Sequence, residues 1–298
     1  MAAALPISIV IPTYRRDAVL VETLQALLAL EAGAHELLVI DQTEAHDAET
    51  ARALEGLAAQ GRIRWVRQAE PSIPRAMNAG LQLATQAVVL FLDDDIRPEP
   101  GLIAAHDAAH GVHPDVIVAG KVIQPWDEGR DYSADTHFHF AAHRPHWIGE
   151  FMGGNFSLRR DLALALGGFD ENFVRVAYRF EAEFAHRWVA GGRRIYFEPA
   201  ACLHHLKAAA GGTRTYGEHL TTWRPDHAVG AYYYGLRTRK FGDFAARPFR
   251  SVATRHHLRH PWQIPATLLA EFRGMAWALA LHMRGPRHVE PVSDPKPK

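Results

Sequence analysis

The chain has 298 residues, 48% of them hydrophobic and 22% charged, with 33 Lys and Arg against 33 Asp and Glu. That length and composition suit a soluble α/β protein of one large or two smaller domains, and a single cysteine, Cys202, excludes a disulfide framework. No nucleic-acid partner is expected from a net charge of zero, but residues 237–298 hold 12 Lys/Arg against 4 Asp/Glu, so a basic end follows an acidic body.

The opening MAAALPISIVIP lacks a basic n-region and does not read as a signal peptide. ISIVI at 7–11 is a β-branched run ended by Pro12 and predicts a strand. A helical pattern from Ala18 to Leu30 follows, then a second apolar run, ELLVID, closing on Asp41. IRWVRQ predicts a third short strand, IPRAMNAGLQLAT a helix and AVVLFL a fourth strand. This alternation predicts a parallel sheet covered by helices on both faces, because its strands are almost continuously apolar. Ligands of such sheets bind beyond the carboxyl ends of the strands. There this chain sets PTYRR, Asp41 and the triplet Asp93, Asp94, Asp95.

Three adjacent carboxylates repel one another, so they require basic side chains or a bound cation as compensation. In an extended chain Asp93 and Asp95 point one way and Asp94 the other, which makes the first two a candidate metal pair. The lack of GxGxxG after the first strand argues against dinucleotide binding, and the lack of GxxxxGK[ST] removes a P-loop NTPase. DDDIR also lacks the DxDx[TV] of a haloacid-type phosphatase.

With ISIVIPTYRR, ELLVIDQTE, PRAMNAG, VLFLDDD, GGNFSLRRDLALALGGFDENF and RRIYFEPAACLHH in this order, residues 5–210 resemble the family 2 glycosyltransferases of the GT-A fold. The resemblance implies a Rossmann-like nucleotide-binding mixed sheet flanked by helices, with a nucleotide-binding half at 1–100 and an acceptor half at 101–210. It also implies a metal-dependent, inverting transfer of one sugar from a nucleotide-diphosphate donor, UDP- or dTDP-linked, to an acceptor hydroxyl in cell-surface polysaccharide or glycolipid assembly. By the same resemblance Pro12, Thr13, Tyr14 and Arg15 form the loop that touches the nucleotide, and Asp41 recognises the base. Arg75 and Asn78 would lie against the diphosphate side, and Gly153, Gly154 and Asn155 would let the backbone approach donor and acceptor. Asp93 and Asp95 match the family's DxD pair, with Asp95 the direct ligand of Mn2+ or Mg2+ and Asp93 or Asp94 on the ribose. His205, or alternatively His204, would supply a histidine to the metal or diphosphate.

Family members commonly carry Glu-Asp-x-Asp at the start of a helix, the Asp of the first pair being the general base. Here YRFEAEFAHRW puts Phe180 in place of the Glu, Glu181 in place of the base and Glu183 in place of the second Asp. Residues two apart on a helix do not share a face, so one must be chosen. Glu183 stands four residues before Arg187, the spacing of an intrahelical ion pair, whereas Glu181 faces Ala185 at that spacing. Glu181 is therefore the expected base, with Glu183 as the alternative.

Residues 211–290 read as a basic helical extension and 291–298 as a disordered tail. Within the extension, residues 262–283 are apolar but broken by Pro265, Glu271, Arg273 and Gly274, which predicts no clean membrane span. Flanked by RHHLRH and RGPRH, they predict an interfacial helix, with 237–288 lying on an anionic membrane surface. The alternative is a helix docked on the catalytic domain or on a homodimer partner. Trp126 and Trp147 in the 121–150 loop are candidate sugar-stacking residues on the acceptor side. Neither QxxRW nor spanning helices mark a processive synthase, so single addition to a glycan or lipid-linked acceptor is expected, in the cytoplasm or peripheral to the inner face of the membrane. Two rivals remain. A sugar-phosphate nucleotidyltransferase would open with a Gly-rich loop that IPTYRRD does not supply, and a catalytically inactive GT-A-like binding protein is supported only by the irregular FEAE.

Overall fold

The computed structural model describes residues 5–132 and 137–290; the expected disordered tail at 291–298 lies outside them. β1 (Leu5–Thr13) pairs in parallel with β2 (Ala34–Asp41) on one side and β4 (Val88–Leu92) on the other, and β3 (Arg64–Arg67) adds to β2. The connecting helices are α1 (Ala18–Leu28), α2 (Ala48–Ala59) and α3 (Ile73–Leu83). Local chemistry sets where two of them begin. Asp47 accepts from the Glu49 and Thr50 amides ahead of α2, while Ser72 caps α3, whose first turn tolerates Pro74 because no intrahelical partner awaits its missing N–H.

The second half of the sheet is mixed. β8 (Asn155–Arg159) runs antiparallel to β4, β6 (Ile117–Ile123) antiparallel to β8, and β9 (Ile195–His205) parallel to β6. Two three-residue strands, β5 (Ile96–Pro98) and β7 (His146–Ile148), pair with the end and the start of β9 respectively. α4 (Leu102–Val112), α5 (Arg160–Ala165) and α6 (Phe180–Ala190) complete this half. Side chains of β1 alternate between two cores: Ile7, Ile9 and Ile11 face Leu20, Leu24 and Leu102, whereas Val10 faces Met77, Leu81 and the aromatic group Phe91, Phe156, Phe169 and Phe184.

The helices after residue 210 are α7 (Ala228–Arg237), α8 (Phe241–Val252), α9 (Arg255–Arg259) and α10 (Ile264–Met283). They join the aromatic core: Tyr232 and Tyr233 are fully buried in it, together with Ala278 and Leu281 of α10. Each such aromatic burial contributes on the order of 1.5–3 kcal/mol.

The apolar run at 262–283 is less interrupted than its composition suggests. Pro265 lies in the first turn of α10, Glu271 is buried against the Tyr232 hydroxyl, and Gly274 is where α10 meets α7, a Cβ there falling 2.6 Å from the Cβ of Ala228. By length and composition alone, Pro261–Met283 passes for a membrane span, at mean hydropathy 1.2, although its interrupting residues predict no clean one. One face of α10 is nevertheless docked on α7, while Leu269, Phe272 and Met283 face outward.

α7 in turn holds the segment that leads into α6. Arg175, Ala177 and Arg179 all have left-handed φ, at 63°, 52° and 73°, a conformation that costs non-glycine residues about 1–2 kcal/mol each. Gly230 allows α7 to lie directly on this backbone, because a Cβ there would overlap the carbonyl of Tyr178. Gly230→Ala should therefore destabilise the protein by about 1–3 kcal/mol through overpacking, read as a lowered midpoint in urea; an unchanged midpoint would show that α7 and the segment are only loosely apposed.

Candidate active site

The carboxyl ends of β1 and β4 meet the loop that follows β9. The Thr13 hydroxyl donates to Asp94 Oδ2 at 2.7 Å, and the other oxygen of Asp94 lies 3.2 Å from Arg16 Nε. Arg16 also reaches Asp95 Oδ2 at 3.3 Å and donates to the carbonyls of Ala208 and Ala210. The backbone amide of Ala208 donates to the same Asp95 oxygen at 2.8 Å, and His205 Nε2 stands 3.2 Å from Asp95 Oδ1 and 3.9 Å from Asp93 Oδ2.

Environment divides the three acids. Burial pushes Asp94 up to about 7 against the opposing pull of Arg16 and Thr13. Burial acts upward on Asp95 too, but its hydrogen bond to His205, the His205 charge and Arg16 outweigh it and hold Asp95 below its usual value. Burial would lower His205, yet Asp95 and Asp93 raise it overall. Asp93 is the open member, its side chain 48% exposed. Gly154 makes room for it, since a Cβ there would overlap the Asp93 carboxylate, and the Gly154 carbonyl accepts the Asp93 amide at 3.2 Å.

Asp93, Asp95 and His205 offer ligand atoms within 4.8 Å of one another. Two carboxylates and an imidazole form a donor set suited to Mn2+, and the oxygens alone suit Mg2+. His204 alternates to the other side of β9, where it meets Glu99 at 2.9 Å and Glu128 at 3.6 Å, so His205 is the histidine turned toward the acid pair.

α6 begins beside this cluster. Burial pushes Glu181 up to about 7; its own backbone amide and Arg179 counter the rise, while Glu150 and Asp93 add to it. Glu183 is sealed in. Its side chain is 2% exposed, both of its oxygens accept from Arg187 Nε at 2.9 and 3.0 Å, and Arg237 lies 3.7 Å away. Burial raises Glu183 as well, against Arg187.

The family model described as Glycosyl transferase family 2 matches residues 8–182, from β1 through the first turn of α6. The chain belongs to glycosyl transferase family 2. It is 29% identical over 181 residues to an uncharacterized protein of Sinorhizobium fredii, covering 60% of this chain and 19% of that one. It is 27% identical over 140 residues to the glucosyl-dolichyl phosphate glucuronosyltransferase of Haloferax volcanii, covering 42% of this chain and 45% of that one. The chain thus spans less than half the length of these curated relatives. Its fold is that of GT-A glycosyltransferases: it superposes on a mannosyltransferase of Pyrobaculum calidifontis solved with GDP-Man and Mn2+ at a TM-score of 0.57 and 20% identity, covering 95% of this chain and 80% of the other.

Within this family 2 frame several residues named from the sequence stand apart from an open pocket. Asp41 is fully buried. One oxygen closes a turn by accepting from the Thr43 amide, and the other is shared by His46 and Trp65, each at 2.9 Å, with Arg67 at 3.3 Å. Three of these four contacts fall on the same oxygen, Oδ2. Asn78 is also buried, its amide clasping both the N–H and the carbonyl of Phe169, which ties α3 to the GGF connector. Asn155 donates to the carbonyls of Lys121 and Ala201 where the β6–β9 register shifts after Gly120, so it fills a gap in the ladder. In this structure the polar atoms of all three, expected to face a ligand, are engaged by other groups of the protein.

Arg75 pairs with Glu70 at 2.5 Å and Glu171 at 3.7 Å. Pro12 is the last residue but one of β1, opposite Ile40, and Arg15, at φ 53°, lies over the Tyr14 ring and pairs with Glu44 at 2.9 Å. Gly153 packs near Phe180, where a Cβ would come 3.2 Å from its ring. Trp126 carries Lys207 over its ring at 3.9 Å, beside the end of β9. Trp147 pairs with Tyr196 at the opposite end of that strand, which removes it from the cluster.

The residue that sequence reasoning missed is Arg16. Its signal was present: an Arg doublet at one strand end and an uncompensated acid triplet at another. Arg16→Met should destabilise the fold by about 3–5 kcal/mol at neutral pH, the usual cost of stripping one partner from a buried ion pair. The deficit should shrink as pH falls, because Asp94 and Asp95 then protonate and no longer need the guanidinium. Denaturation at several pH values reads this, and a pH-independent deficit would assign the loss to packing alone.

Proposed function

We propose that this chain transfers one sugar from a nucleotide-diphosphate donor to an acceptor hydroxyl with inversion, Glu181 acting as the general base. The observation that carries the reading is the contrast between the two glutamates. Glu183 is neutralised by arginines, whereas Glu181 has a carboxyl poised near 7 beside Asp93. A base near the working pH combines ionisation with proton affinity.

Asp93, Asp95 and His205 would hold Mn2+ or Mg2+, which when bound shields the diphosphate and stabilises its charge as it leaves. Asp94, hydrogen-bonded to Thr13, is directed away from that set and anchors the β1 loop under the donor. Glu181 takes the proton of the acceptor hydroxyl. The hydroxyl oxygen then forms its bond to the anomeric carbon on the face opposite the breaking bond to the diphosphate, so the configuration inverts. The sugars and nucleotides in the relatives' names, glucuronosyl transfer in one and GDP-Man in the other, support a nucleotide-sugar donor and leave its base unassigned.

A glycan or lipid-linked acceptor and a peripheral membrane position belong to the same proposal. Phe249, Leu258, Trp262 and Met283 are each at least 70% exposed on α8, α9, α10 and the turn before it, among the basic residues of 237–288. Apolar groups interleaved with cations suit an anionic lipid surface.

Glu181→Gln keeps size and hydrogen bonding but accepts no proton, so turnover should fall roughly 10²–10⁴-fold with donor affinity unchanged. In the wild type, turnover should rise with pH through about 7, where Glu181 ionises. Glu183→Gln should lose stability before turnover. A dead Glu183→Gln that folds and binds donor, beside an active Glu181→Gln, would reverse the assignment.

The cation must displace the proton from His205, whose proton affinity is raised by Asp95 and Asp93. Mn2+ affinity should therefore increase as pH rises and be accompanied by proton release, read by calorimetry in buffers of different ionisation enthalpy. His205→Ala should abolish the proton release. Release undiminished in that variant would remove His205 from the ligand set.

A further inference from the structure

A cavity of about 600 Å³ lies between α7, α8, α10 and the loop that precedes α7. Five cationic side chains line it: Arg179, Arg224, Lys240, Arg247 and Arg250. The acids on its wall are Asp243 and Glu271, and both are already matched. Glu271 lies 3.0 Å from Arg247 and accepts from the Tyr232 hydroxyl at 2.7 Å, while Asp243 accepts from Arg250 at 2.8 Å. Arg179 meets Glu150 at 2.9 Å. Among the described residues neither Arg224 nor Lys240 has a carboxylate within ion-pair distance; Lys240 Nζ donates to the Tyr234 hydroxyl at 2.9 Å and feels Glu150, the partner of Arg179, from farther off.

The cavity therefore carries about two uncompensated positive charges within walls that also hold Tyr178, Tyr234 and Phe244. A phosphate group matches that charge and can take several of the N–H donors at once. Position adds the second argument. Arg179 immediately precedes α6, lines the cavity, and is near enough to Glu181 to oppose the rise in its proton affinity. The third is the outer surface of the same helices. Phe241 and Phe249 of α8 and Phe272 of α10 are 60%, 76% and 56% exposed, so the helices that supply the cavity wall also carry exposed apolar side chains.

We propose that this cavity holds the phosphate of a phosphorylated acceptor with an apolar tail, the hydroxyl end reaching Glu181 past Arg179 and the tail lying along α8 and α10. This deepens the transferase reading and rests on it.

Arg224→Gln combined with Lys240→Gln tests it without touching the donor site or a buried pair. Three probes are used by calorimetry or sedimentation on the full chain: geranyl phosphate, inorganic phosphate, and vesicles containing phosphatidylglycerol. Geranyl phosphate should bind the wild type more tightly than inorganic phosphate does, and the double variant should lose about 10–100-fold in geranyl phosphate affinity, the worth of one or two charge-assisted hydrogen bonds. Equal geranyl phosphate affinity in both proteins would overturn the proposal. So would loss of vesicle binding with geranyl phosphate binding retained, because the cations would then serve membrane headgroups. Inorganic phosphate binding as tightly as geranyl phosphate would overturn the apolar-tail assignment. Mn2+-dependent binding of nucleotide sugars, measured in parallel on the wild type, stands apart: its absence would sink the transferase reading while leaving the cavity result intact.

Discussion

The burial of two neighbouring carboxylates, Asp94 and Asp95, depends on one guanidinium. Arg16 lies against both, and its Nη1 donates to the carbonyls of Ala208 and Ala210. Two unit charges about 4 Å apart in partly buried surroundings interact by about 4 kcal/mol, so an unscreened acid pair would force a strand end open or take up protons. The arginine converts that repulsion into a clasp. The end of β1, the end of β4 and the loop after β9 become one electrostatic unit, and Asp95 can stay ionised while facing His205.

The same logic separates the glutamates of α6. They lie two residues apart, yet one has been neutralised by Arg187 and Arg237 and the other by little except Arg179. What keeps them apart is the direction of the first turn of α6, and that turn starts from a left-handed Arg179. Such a backbone persists only where its surroundings over-determine it. Here α7 supplies the constraint through Gly230, and α10 supports α7 through Gly274. The C-terminal helices are thus part of the scaffold that aims Glu181.

Sequence periodicity sufficed for the parallel half of the sheet, where each strand is a continuous apolar run followed by a helix. It could not give the mixed half, because β5 and β7 are three residues long and β9 changes register against β6 after Gly120. Among site residues, the acid pair, the choice of His205 over His204 and the Glu183–Arg187 pairing were legible because alternation and helical spacing are local rules. The partners of Asp41, Asn78 and Asn155 were not legible, for the opposite reason. Their partners lie on other elements, 91 residues away for Asn78 and Phe169, and residue type alone does not say whether an amide faces a ligand or an unsatisfied carbonyl. Arg16 is the same failure reversed, a buried cation that looks like surface charge. α10 was judged on its interrupting residues, whose partners in α7 and α8 were invisible.

The dependence of α6 on α7 and α10 has a consequence for synthesis. The parallel half of the sheet can condense as soon as β4 has emerged, since its strands pair in nearly sequential order. The wedge that fixes Arg179 comes from chain added much later: Met283, the last residue of α10, follows Glu181 by 102 positions, which at ribosomal speed takes roughly 5–20 s. Ala208 and Ala210, which complete the Arg16 clasp, follow Glu181 by 27 and 29 positions and arrive early in that interval, whereas the start of α6 stays unsupported through the rest of it. The order of translation therefore leaves the first turn of α6 without its support until α10 has docked.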